Sequence, residues 1–119
     1  MRVLIVQSAP GLRALWKSYL ERSGMSVISV GSQDEAIDQL GRIAPDIIIL
    51  DLVLTAGSAL AVADYANYRC PNAQVIFVTN TSFFSDGSIF SHATNARAFV
   101  QRETPPADLA AMVAHYAAH

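Results

Sequence analysis

Pro45-Asp46-Ile47-Ile48-Ile49-Leu50-Asp51 is the stretch around which the chain is organised. A short apolar run, bounded by Pro45 and ending in an acid, reads as a strand buried on both faces. Its β-branched isoleucines favour the pleated state over a helix, and the run is too short to span a membrane as a helix. In open α/β sheets ligands gather outside the carboxyl ends of the strands. Asp51, where this strand leaves the core, is therefore where chemistry is expected.

Arg2–Val6 and Gln74–Thr79 are apolar runs of the same kind. Met25–Val30 alternates Val27, Ile28 and Val30 with serines, as a strand nearer a sheet edge does. Ala98-Phe99-Val100 is a short fifth strand. Helices are expected between them. One starts at Pro10, with Ser8 or Ala9 at or near its cap, and ends at Gly24 in a left-handed turn. Its stripe is Leu12, Leu15, Trp16, Tyr19 and Leu20, so the aromatic pair belongs to the core rather than to a ligand-stacking site. A second runs from Ser32 to Arg42 behind the capping box Ser32-Gln33-Asp34-Glu35. A third covers Ala59–Tyr68, a weak fourth about Ser85–Thr94, and the last opens at Thr104-Pro105-Pro106. Five strands alternating with five helices imply an α/β domain, a parallel sheet with right-handed crossovers and helices on both faces.

The 119 residues, 52% hydrophobic, suit one domain (1–119) with a sizeable core and no output domain after His119. A net charge of −2 gives no electrostatic case for nucleic acid or anionic membrane. Cys70 is the only cysteine, which rules out an intrachain disulfide and fits a reducing compartment. The amino-terminal apolar run is too short for a signal-peptide core, so a cytoplasmic protein is expected. Neither GxGxxG nor GxxxxGK[ST] occurs. His92, His115 and His119 lack paired ligand spacing and read as solvated.

Gln7-Ser8 after the first strand, Asp51 after the third, Thr79 after the fourth and Arg102 after the fifth converge at one sheet edge. Their order and spacing, with Phe99, resemble the receiver domain of two-component response regulators over essentially the whole chain. The resemblance implies a flavodoxin-like sheet of order 2-1-3-4-5. It places Asp51 at the phosphoacceptor position, Thr79 at the hydroxyl that bonds the phosphoryl oxygen and Phe99 at the switch aromatic. Arg102 falls at the family's lysine if one extra residue is allowed between Thr79 and Phe99. It also implies a histidine kinase or phosphotransfer protein as partner.

Four positions depart from the pattern. Gln7 and Ser8 stand where the family has the acidic pair that holds Mg²⁺. Thr55 replaces the proline four residues after the acceptor, and Glu103 the proline after the lysine. Mg²⁺ wants near-octahedral oxygen ligands, and Asp51 without the acids supplies far less charge than three carboxylates. No metal site is expected, and Mg²⁺, usual in the family, is expected to bind weakly or not at all. Attack of a carboxylate on an anionic phosphoryl donor then meets about 4 kcal/mol of repulsion at about 4 Å for an effective dielectric of about 20. That is roughly a thousandfold in rate. Arg102 either restores part of this or pairs with Asp51 and blocks it.

The expected function is an atypical, stand-alone receiver acting through protein–protein contacts, with phosphorylation of Asp51 in doubt. An ordinary Mg²⁺-dependent receiver is the first alternative. A flavin- or cobalamin-binding flavodoxin-like module is the second, although Ser8-Ala9-Pro10-Gly11 is a poor flavin phosphate loop. No enzyme activity is expected. Phe83, Phe84 and Phe90 in or beside a polar stretch, and Ala110 and Ala114 on a weakly charged last helix, are expected to face a partner or a second copy in a homodimer.

Overall fold

In the computed structural model, which describes residues 1–79 and 96–117, the run Ile47–Asp51 is a strand buried along its whole length. It is β3 of a five-stranded sheet whose other members are β1 (Arg2–Val6), β2 (Ser26–Val30), β4 (Gln74–Thr79) and β5 (Ala96–Gln101). All pairings are parallel and the order is β2-β1-β3-β4-β5. The chain moves from β1 to one edge, then returns across it to β3 and continues to the other edge. That reversal puts the crevice of the fold at the carboxyl ends of β1 and β3.

Four helices are described: α1 (Pro10–Arg22), α2 (Gln33–Leu40), α3 (Ala59–Arg69) and α4 (Pro106–Ala117). The helix expected over Ser85–Thr94 lies outside the described residues, as do Phe83, Phe84, Phe90, His92 and His119.

Alternation along the strands divides the core in two. Leu4, Val6, Ile48, Leu50, Val75 and Phe77 pack with α2 and α3 through Leu40, Val62, Ala63 and Ala66. Val3, Ile5, Ile47, Ile49, Ile76 and Val78 pack with α1 and α4 through Trp16, Leu20, Leu109 and Val113. Each fully buried aliphatic side chain contributes about 1.5–3 kcal/mol. Because β3 is apolar on both faces, its polar ends fix its register. The Asp46 N–H donates to the Arg2 carbonyl at 2.9 Å, and the Arg2 N–H donates to Asp46 Oδ2 at 2.9 Å.

Local chemistry sets the helix ends. Pro10 opens α1, Ala9 is its cap, and Gly24 at φ 87° turns the chain out of it. Ser32 caps α2 by accepting the Glu35 N–H, while Glu35 Oε1 reaches back to the Gly31 N–H. The helix stops at Leu40, two residues short of the expected Arg42, which instead pairs with Asp38 on the surface. Trp16 is in the core as expected, but Leu15 is 43% exposed.

The last helix corrects one expectation. Ala110 is buried, at 5% exposure, beside Leu109 and Val113. The arc that α4 lays against the sheet and α1 is centred on 109, 110 and 113, so Ala110 is a close-packing residue and not part of a partner surface. Ala111 and Ala114 are exposed. No helix among the described residues is long and apolar enough to cross a membrane.

Candidate functional site

The carboxyl ends of β1, β3, β4 and β5 bring Gln7, Asp51, Thr79 and Arg102 to one edge of the sheet. Asp51 is completely buried, and Gln7 and Thr79 nearly so. A charge placed there must be paired and hydrogen-bonded to be tolerated. Asp51 has four such bonds. Oδ2 accepts Gln7 Nε2 at 2.6 Å and Arg102 Nε at 2.9 Å; Oδ1 accepts Arg102 Nη2 at 2.7 Å and the Val53 N–H at 2.9 Å.

The guanidinium therefore meets the carboxylate fork to fork, the geometry that favours arginine over lysine for such a pair. Its proton affinity is raised above the ordinary arginine value, chiefly by the hydrogen bond to Asp51 and, less, by the charges of Asp51 and Glu103, against a desolvation effect of opposite sign. The main chain fixes Arg102 as well, its N–H donating to the Thr79 carbonyl at 2.6 Å.

The placement of Arg102 depends on an irregularity in β5. Val75 pairs with Ala96 but Ile76 with Ala98, so a bulge takes up one residue, Arg97, upstream of Phe99. Downstream, Phe77 pairs with Phe99 and Thr79 with Gln101, which delivers Arg102 to the site. Phe99 is stacked on Phe77, with ring centroids 5.1 Å apart and planes at 16°. Arg97 lies over the Tyr116 ring at 4.7 Å.

Gln7 is held on three sides. Its N–H donates to the Val30 carbonyl, its carbonyl accepts Arg13 Nη1 at 3.0 Å, and its Oε1 accepts the Ala9 N–H at 3.0 Å. That leaves Nε2 as the group turned to Asp51. Ser8 does not touch Asp51 in this network. Its hydroxyl donates to the Gly31 carbonyl at 2.9 Å and accepts the Thr55 N–H at 3.0 Å, joining the loops after β1, β2 and β3. Gln33 adds a second tie by accepting the Ser58 N–H at 2.7 Å; Gly57, at φ 103°, passes so close that a Cβ there would run into Gln33.

A carboxylate offers about four lone-pair sites, and all four are used. Neither oxygen can attack a donor without first releasing a partner. The donor set does not suit Mg²⁺ either, because that ion needs oxygens and Gln7 presents an N–H₂. Gln7 Oε1 and the Ser8 hydroxyl already accept other groups. Among the described residues no cluster of three carboxylates, histidines or cysteines exists that would hold a metal.

Of the expected site residues, Gln7, Asp51 and Arg102 meet directly, Thr79 adjoins them through its carbonyl, and Ser8 braces the surrounding loops. Sequence reasoning missed the Val53 N–H, Arg13 and the Ser8–Thr55 bond. A signal existed for the last: the receiver resemblance puts Thr55 at a proline position, and a proline would have no N–H to give.

A family model of the response regulator receiver domain matches residues 3–114. Regulatory protein LuxO of Vibrio cholerae is 31% identical over 75 residues, covering 63% of this chain and 16% of that much longer protein. The signal receiver domain of a protein described as a LuxO repressor from Vibrio parahaemolyticus superposes with a TM-score of 0.86 at 27% identity, covering 98% of this chain and 89% of that one. A CheY-like receiver domain protein from Methanospirillum hungatei has a TM-score of 0.88 at 21% identity, covering 98% and 93%, a likeness of fold.

Proposed function

The chain belongs to the response regulator receiver domain family and so to two-component signalling, and on that premise we propose that it signals by docking, with Asp51 kept out of phosphoryl transfer. The observation that carries this reading is the Asp51 carboxylate, whose two oxygens are fully engaged by Gln7, Arg102 and the Val53 N–H.

Two costs act together. Freeing Asp51 means breaking a buried ion pair, which in comparable sites costs about 3–5 kcal/mol. Without a metal, the transferring phosphoryl group loses a further stabilisation of about 4 kcal/mol. Together they correspond to slowing by roughly five orders of magnitude or more relative to a metal-assisted acceptor.

In this reading Mg²⁺ is not a cofactor. The partner is a histidine kinase, a phosphotransfer protein or another signalling protein of the cytoplasm. The exposed side of α4, at Ala111 and Ala114, is a candidate face for it or for a second copy of the chain; Ala110 is not.

The test is phosphotransfer from a small-molecule donor such as phosphoramidate, with and without Mg²⁺, read by intact mass. No acyl phosphate is expected under either condition. Stoichiometric, Mg²⁺-dependent modification of Asp51 would overturn the reading.

A further inference from the structure

Asp51 is wholly buried, yet its charge is balanced from another strand end: Arg102 lies just beyond β5 and its side chain is 29% exposed. Its guanidinium joins β5 to β3 through Asp51, while its main-chain N–H joins β5 to β4 at Thr79. Gln7 brings β1 to the same carboxylate. Asp51 and Arg102, with Gln7 and the Thr79 carbonyl, thus link four strand ends.

A divalent cation beside Asp51 would need the same lone pairs that the guanidinium occupies. The two cannot be bound together, and the guanidinium has the advantage of being tethered. It is also charged at every physiological pH. We propose that Arg102 is a resident counter-ion: it fills the cation's place beside Asp51 and, together with the Gln7 bond to the same carboxylate, holds the ends of β1, β3, β4 and β5 in one arrangement that Mg²⁺ does not alter. This rests on the receiver reading only for the identity of Asp51. It concerns the resting structure, not reactivity.

The stacked Phe77–Phe99 pair lies on the same strands, three residues before Arg102 on β5. A fixed Arg102 therefore also fixes the strand that carries Phe99. The loops around the pocket are tied independently by Ser8 and Gln33, so removing the guanidinium leaves a formed pocket whose acid keeps the Gln7 and Val53 bonds but lacks a counter-ion.

That pocket supplies the test. The Arg102→Ala variant is expected to melt about 10 °C or more below the wild type. Free guanidinium at low millimolar concentration has the same two-pronged N–H face and is expected to raise the variant's melting temperature saturably. Urea, its neutral shape analogue, and sodium chloride at matched concentration are expected not to, and Mg²⁺ is expected to leave the wild type unchanged. The proposal is overturned if the variant melts with the wild type, if urea or Mg²⁺ matches guanidinium on the variant, or if Mg²⁺ stabilises the wild type. Should the variant not fold, the Arg102 Nε–H resonance of the wild type decides. A slowly exchanging signal unmoved by Mg²⁺ supports the proposal; a signal lost to fast exchange or shifted by Mg²⁺ overturns it. Acyl phosphate on the wild type would defeat the functional reading while leaving these melting and exchange outcomes to stand or fall on their own.

Discussion

The Ser8 hydroxyl accepts the Thr55 main-chain N–H at 3.0 Å and donates to the Gly31 carbonyl at 2.9 Å. The resemblance to the receiver pattern puts Ser8 at the place of a metal-binding acid and Thr55 at that of a proline. A proline at 55 would leave the hydroxyl without its donor. In this chain the loop after β3 is held to the loop after β1 by that hydrogen bond.

Ser8→Ala is expected to cost about 1–2 kcal/mol, the price of a partly buried hydroxyl with two partners. Thr55→Pro is expected to cost a similar amount through the lost N–H. The double variant should cost clearly less than the two together, since each change removes the same bond. Urea unfolding of the four proteins measures this, and strict additivity would show that the bond carries no coupling.

Gln7→Glu replaces a donor with a second carboxylate at a position 2% exposed and 2.6 Å from Asp51. The lost charged hydrogen bond is worth about 1.5–3 kcal/mol, and like charges now share one site. The variant is expected to be less stable than the wild type by about 2–4 kcal/mol. Mg²⁺ should recover part of that loss, because a second acid begins to rebuild a cation site. Urea titrations with and without Mg²⁺ check both outcomes; a variant as stable as the wild type would mean that Gln7 does not hold Asp51.

The sheet was legible because its strands are apolar on both faces over runs too long for a turn and too short for a helix bundle. The edge position of β2 followed from its serines. Asp51 was legible as the position where such a run meets an acid. The contact between Asp51 and Arg102 was not decided, because 51 residues separate them and the β5 bulge at Arg97 sets the register that joins them. The face of α4 was misjudged by one residue: with alanine at 110, 111, 114 and 117, composition alone cannot orient the helix.

That correction is itself testable. Ala110→Asp puts a charge into a site 5% exposed between Leu109 and Val113, and is expected to cost more than about 3 kcal/mol or abolish folding. Ala114→Asp changes an exposed position and should alter stability by about 0.5 kcal/mol or less. It also introduces charge on the face proposed for docking, so sedimentation of this variant reports on self-association without disturbing the fold. Equal stability losses at the two positions would contradict the orientation of α4.

Arg102 has its proton affinity raised, first by the hydrogen bond to Asp51. A group whose pKa is higher folded than unfolded adds stability that is complete below the unfolded value and is lost as the pH rises through the folded one. Arginine stays charged far into alkaline solution even without a partner, so this contribution is constant through neutral and mildly alkaline solution. Lysine begins from about 10.4 and offers Asp51 a point charge in place of a fork. Arg102→Lys is expected to be about 1–2 kcal/mol less stable than the wild type near neutral pH, having lost one charged hydrogen bond. Its deficit should widen as the pH rises above about 10.4, where the lysine sheds its charge and the arginine keeps it. Paired urea titrations near neutral pH and near pH ~11 isolate the effect, because alkaline titration of the tyrosines is common to both proteins and cancels in the difference. A deficit that stays constant over that interval would mean that the cation at position 102 does not stabilise the fold through Asp51.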